Sequence, residues 1–167
     1  MKSYVCILFA AVILFPAAAS AKTYPAKVVR VVDGDTIEVS FSGEKHMVRL
    51  IGMDTPESVY NKRTKKQAKE SDMSQKEIVA LGKAAKRFVQ SRVKTGDIIR
   101  IEYGTLSKDK YGRLLCYVFL ENGAMLNKVI IKNGYAVPLT IPPNVKYKNE
   151  FLAAYRYARE NSKGLWE

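Results

Sequence analysis

The stretches KVVRVVDGDTIEVSF, residues 27–41, and HMVRLIGMDTPE, residues 46–57, decide the fold. Lys27 to Val32 and Thr36 to Phe41 are rich in β-branched residues and flank Asp33-Gly34-Asp35. An Asp-Gly pair between two such runs is a hairpin signal, because it tolerates the backbone angles that a tight turn between twisted strands demands. Ile37, Val39 and Phe41 alternate with Glu38 and Ser40, so one face of the second strand is buried. A further turn around Ser42-Gly43-Glu44 leads into His46 to Gly52, the third strand of a meander. On it Arg49 shares a face with Met47 and Ile51 by the two-residue period.

Beyond this meander the alternation stops. From Ser58 to Ser74 there is almost no apolar anchor, and Lys62, Arg63, Lys65, Lys66 and Lys69 crowd a segment expected to be a mobile surface loop. Its charges read first as solubilising and second as contacts to a polyanion. A helix follows, opening at Ser74 with Glu77 in capping-box position and carrying Ile78, Leu81, Ala85, Phe88 and Val89 on one face as far as Thr95-Gly96. Ile98 to Tyr103 and Leu114 to Leu120 read as two more strands around a loop containing Asp109-Lys110-Tyr111-Gly112-Arg113. A short helix over about 124–132 stops at Asn133-Gly134, and a last one spans about 145–161, with Tyr147, Phe151 and Tyr155 spaced for core packing. Strands followed by appended helices indicate an α+β fold, here a five-stranded antiparallel barrel of OB type with three α-helices.

The chain has 167 residues with 28 basic and 16 acidic side chains, a formal net charge of +12. Such an excess draws a protein to polyanions through phosphate neutralisation and counterion release. Residues 1–21 read as a secretory signal: Lys2, an apolar run from Tyr4 to Phe15, then Ala19-Ser20-Ala21, with cleavage expected after Ala21. The apolar run is shorter than the roughly 20 residues a spanning helix needs. Residues 22–167 then form a single domain, expected to be secreted or periplasmic, monomeric and free of stable membrane insertion. Cleavage also removes Cys6 and leaves Cys116 alone, so no internal disulfide can form; Cys116 reads as an inert buried residue. One histidine, His46, and so few cysteines exclude a histidine-pair ribonuclease, a zinc cluster and a Ser-His-Asp triad.

What remains is carboxylate and guanidinium chemistry. Asp35, Asp54 and Glu57 fall within reach of Arg49 in an otherwise basic chain. Three acids repel a phosphodiester unless a divalent cation supplies the missing positive field, which points to a metal-dependent phosphodiesterase site. Carboxylates and a backbone carbonyl are hard oxygen donors suited to calcium or magnesium, and calcium tolerates the looser geometry. Singly, Asp33 and Asp35 are hairpin residues, Arg49 an outward strand residue and Arg113 a solvated charge after a glycine turn; together they make a site.

Asp33-Gly34-Asp35-Thr36, Arg49 to Glu57, Asp109 to Arg113 and the closing Gly164-Leu165-Trp166 resemble, in order and spacing, the staphylococcal nuclease (thermonuclease) family. The resemblance implies an OB-like barrel with three helices and a calcium site made by Asp35, Asp54 and the carbonyl of Thr55. It implies Glu57 as general base toward the attacking water, Arg49 and Arg113 as catalytic arginines, and Lys110 and Tyr111 as contacts to a substrate phosphate. The implied activity is calcium-dependent hydrolysis of DNA and RNA with little sequence specificity, leaving 3′-phosphate and 5′-hydroxyl ends. Two departures stand out: Val137 to Pro143 lacks the tyrosines that the family places near the substrate base, and the basic segment from Lys62 to Lys69 is longer and more positive than usual. The alternatives are a noncatalytic OB-fold module that binds nucleic acid, and a basic envelope protein that uses its charge for adhesion.

Overall fold

A computed structural model describes residues 22–166, so the expected signal segment lies outside the described residues. Five strands close into a barrel in the order β1-β2-β3-β6-β5: β1 (Tyr24–Asp33), β2 (Thr36–Phe41), β3 (Glu44–Leu50), β5 (Ile98–Lys108) and β6 (Leu114–Phe119). The barrel is not wholly antiparallel as expected, since β3 runs parallel to β6, with Val48 opposite Leu114 and Leu50 opposite Cys116. Direction reverses at every antiparallel neighbour, so a closed ring with an odd number of strands must contain a parallel pair.

The alternation read from the sequence places Val28, Ile37, Val39, Val48, Leu50, Ile99, Ile101 and Val118 inside the barrel, all essentially inaccessible. The strand expected over residues 46–52 breaks at Ile51. A three-residue strand β4 (Gly52–Asp54) turns away to pair with β7 (Val137–Leu139), Asp54 opposite Val137. Gly52 makes that turn, because it sits at φ +82° against the Phe151 ring, where a side chain would be both strained and obstructed.

The helices are α1 (Lys62–Ser71), α2 (Gln75–Arg92), α3 (Leu126–Lys132) and α4 (Lys148–Glu160), four rather than the expected three. The extra one, α1, occupies the segment expected to be a mobile loop. Its start is built from polar groups: Asn61 accepts from the Arg63 and Thr64 amides at 2.7 and 2.8 Å, and the Thr64 hydroxyl donates to the Val59 carbonyl at 2.5 Å. Only Thr64 and Ala68 of α1 are buried, too small an apolar stripe to register as amphipathic periodicity.

Three helices cover the barrel, with Ile78 and Val89 of α2, Leu126, Ile130 and Ile131 of α3 and Phe151 of α4 buried. Asn127 of α3, fully buried, takes the Val118 amide at 2.9 Å and donates to the Ile51 carbonyl at 3.0 Å, pinning the helix to β6 and to the point where β3 breaks. Tyr147 packs edge-on against Tyr117, whereas Tyr155 pairs with Trp166 at the chain's end. Cys116 is buried, which pushes its thiol up to about 12 and leaves it unreactive at neutral pH. Among the described residues no helix is long and apolar enough to cross a membrane.

Candidate active site

The hairpin turn puts Asp35 at the head of β2, and the Leu50 amide donates to its carbonyl at 2.9 Å, drawing it to the end of β3. One strand over, Arg49 lies opposite Thr36 in register. The Arg49 guanidinium pairs with Asp35 through one nitrogen and, through the other, with Asp54 at 2.6 Å and the Met53 carbonyl at 3.3 Å. The two aspartates expected to share a metal are therefore brought together on the two arms of one arginine. Thr36 and Thr55 hydroxyls donate to Asp35 at 2.8 and 3.2 Å, so that buried carboxylate is well supplied with donors.

The segment from Asp54 to Glu57 leaves β4 and runs between α1 and α2. Gly82 of α2 permits this: a β-carbon there would overlap the Glu57 carbonyl and press on the Ser58 amide. From the other side α1 grips the segment along its length. Gln67 donates to the Thr55 carbonyl at 3.3 Å and accepts from the Glu57 amide at 3.0 Å. Asn61 donates to one oxygen of the Glu57 carboxylate at 2.8 Å, and Arg63 lies 3.3 Å from the other while also pairing with Asp54. Burial alone would lower the Arg63 guanidinium's proton affinity, but Asp54 and Glu57 together raise it above the usual arginine value. Burial also raises Asp33 above the ordinary carboxylate value against hydrogen bonds from Gly34 and Ser58, and its role stays that of a turn residue.

Arg113 arrives from the loop between β5 and β6. Asp109 holds it, accepting Arg113 Nε at 2.7 Å and the amides of Tyr111 and Arg113 at 2.9 and 3.0 Å. Burial would raise that carboxyl, but these donors together bring it below the ordinary aspartate value. Tyr111 is 73% exposed, with the Arg113 guanidinium and the Lys110 ammonium over its ring at 5.6 and 5.1 Å.

These parts meet in a hollow of about 450 Å³ lined by Asp35, Arg49, Glu57, Arg63, Tyr111 and Arg113. A neighbouring hollow of about 510 Å³ shares the three arginines and Tyr111, and adds Lys110 with an apolar wall of Leu106, Leu139 and Ile141. One side thus suits a phosphate and its attacking water, and the other suits the less polar parts of an ester. Every candidate site residue lies at or beside this pair of hollows, Thr55 among them through its hydroxyl on Asp35.

Two carboxylates and a carbonyl, all oxygen, are donors of the kind a hard divalent cation takes; here Arg49 spans the two carboxylates and Gln67 donates to the Thr55 carbonyl. Among the described residues no three His, Cys, Asp or Glu side chains gather in a cluster that could hold a metal ion. Sequence reasoning missed Asn61, Arg63, Gln67 and Asp109. The available signals were Asn61 and Thr64 at capping-box spacing, and an aspartate four residues before Arg113.

The sequence model of the family described as staphylococcal nuclease homologue matches residues 47–167, taking in every candidate site residue except Asp35. The chain is 37% identical over 140 residues to a thermonuclease of Staphylococcus intermedius, covering 84% of this chain and 74% of that protein. It is 35% identical over 148 residues to a thermonuclease of Staphylococcus hyicus, covering 89% and 78%. Against the endonuclease YhcR of Bacillus subtilis it is 35% identical over 155 residues, 90% of this chain but 12% of that longer protein.

Proposed function

The chain belongs to the staphylococcal nuclease family, and from that premise we propose that it is a calcium-dependent endonuclease, exported by cleavage after Ala21 and acting as a monomer. Its substrates are DNA and RNA, cut with little sequence specificity to leave 3′-phosphate and 5′-hydroxyl ends. The observation that carries this reading is the hollow in which Glu57 and Asp35 face three guanidinium groups, those of Arg49, Arg63 and Arg113.

Arg49 and Arg113 are the groups that receive the phosphate. Their planar forks match its oxygens and meet the negative charge that grows as water adds to phosphorus. Asp109 aims the Arg113 fork, and the barrel wall aims that of Arg49. Glu57 faces the same space and takes the proton of the attacking water as its oxygen bonds to phosphorus, while the bond from phosphorus to the 5′-oxygen breaks and that oxygen takes a proton from solvent to leave as the 5′-hydroxyl. Lys110 and Tyr111 hold an adjoining phosphate, and the wall of Leu139 and Ile141 receives sugar and base by apolar contact in place of tyrosine stacking. Bound by Asp35, Asp54 and the Thr55 carbonyl, a calcium ion would supply the positive field that lets a phosphodiester approach these carboxylates.

The test is cleavage of single- and double-stranded DNA by residues 22–167 in calcium, in magnesium and in chelator, beside Glu57→Ala and Arg113→Ala. The expected result is cutting in calcium that chelator abolishes and both substitutions cripple. Binding without cutting in every metal would leave a noncatalytic OB-fold module, and adhesion that survives chelation would support the envelope reading.

A further inference from the structure

Arg63 and Arg49 place guanidinium nitrogens on the same oxygen of Asp54, and Arg63 also reaches Glu57, 3.3 Å from its carboxylate. Asp35, Asp54 and Glu57 carry three negative charges against these two positive ones. A divalent cation at Asp54 would meet two like charges already seated on one oxygen of that carboxylate, and departure of one of them lowers the repulsion. Arg49 cannot leave easily: it is 10% exposed, rooted in β3 and engaged on both arms by Asp35 and Asp54. Arg63 is 41% exposed.

Helix α1 keeps its other hold on the segment whether or not Arg63 stays. Gln67 binds the backbone at Thr55 and Glu57, and the Asn61 cap is closed by backbone amides. Side-chain rotation alone therefore frees Arg63, with no unfolding of α1.

We propose that Arg63 is a charge latch, competing with a divalent cation for Asp54 and Glu57 and so setting the calcium concentration at which the site works. This rests on the proposed metal reading of Asp35 and Asp54. It makes Arg63 a positioning residue that acts through two carboxylates, and it assigns α1 a purpose beyond the solubilising one its lysines suggest.

The test is calorimetric titration of calcium into residues 22–167 carrying Arg63, Arg63→Gln or Arg63→Lys, with helix content followed by circular dichroism. A substitution that merely damaged the site would weaken calcium binding; release of a latch strengthens it. Arg63→Gln is expected to bind calcium roughly tenfold more tightly, the order expected for one positive charge removed from beside a divalent ion at a half-exposed position. Arg63→Lys, which keeps the charge but loses the fork that spans both carboxylates, should fall between the two and serves if the glutamine variant folds poorly. Calcium binding that is unchanged or weaker in both variants at unchanged helix content overturns the latch and leaves the nuclease proposal standing. Absence of calcium binding in all three proteins overturns the metal reading beneath it.

Discussion

Asp54 is held from two sides that differ in kind. On the barrel side Arg49 projects from a strand whose neighbours are packed core, and its two arms are fixed by Asp35 and Asp54 in near-complete burial. On the other side Arg63 and Gln67 of α1, a helix that buries only Thr64 and Ala68, together with its cap Asn61, grip the Asp54–Glu57 segment by polar contacts. The contrast separates two tasks. A guanidinium set in a barrel wall is preorganised and costs stability to disturb, whereas one on a thinly packed helix can change partners cheaply. A hydrolytic site needs the first to meet growing charge and the second to admit a charged ligand.

The sharpest way to break this comparison is Arg49→Ala. It leaves the buried Asp35 without its ion-pair partner, while Asp54 keeps Arg63, and the expected destabilisation is about 3–5 kcal/mol. Chemical denaturation would measure it; a loss under about 1 kcal/mol, the range of surface pairs, would mean that the barrel side is no firmer than the α1 side. Arg113→Ala sharpens the same point from the catalytic side. Arg113 is 29% exposed and held by one aspartate, so stability should change little while the cleavage rate falls by about 10²–10³.

Gly82→Ala probes the packing between the two sides. The added methyl group pushes on the Glu57 carbonyl, with an expected cost of about 1–3 kcal/mol and a loss of turnover through displacement of the Glu57 carboxylate. Full activity in that variant would show that the position of Glu57 does not depend on α2.

The smallest effect concerns pH. The Asp109 carboxyl lies below its ordinary value, so its contribution to stability is present above about pH 4 and is lost as pH falls through and below that range. Asp109→Asn should flatten this part of the acid-unfolding profile and lose the same small contribution at neutral pH. An unaltered profile would remove Asp109 from the acid transition.

The same division decides what could be read from the sequence. Strands of the barrel announce themselves because Ile37, Val39 and Val48 must face inward on a two-residue period, and the Asp33-Gly34-Asp35 turn joins two of them. Arg49, Asp54 and Glu57 were legible as a cluster because carboxylates beside an arginine make little sense as decoration, and the structure brings them together. Helix α1 was not, because polar capping and hydrogen bonds to a neighbouring segment leave no hydrophobic period. Pairing of β4 with β7 was hidden for a related reason: three residues with Pro138 in the middle carry no strand signature. The parallel contact of β3 with β6 was implicit in the count of five strands, although no local pattern marks it.

The proposed hydrolysis of a phosphodiester draws on both sides, which meet at Asp54. Mass spectrometry of a short DNA oligonucleotide incubated in calcium with the protein and with Glu57→Gln tests it most directly. Fragments ending in 3′-phosphate and 5′-hydroxyl are expected from the protein, and essentially intact oligonucleotide from Glu57→Gln. Intact oligonucleotide from both, despite binding, would contradict it.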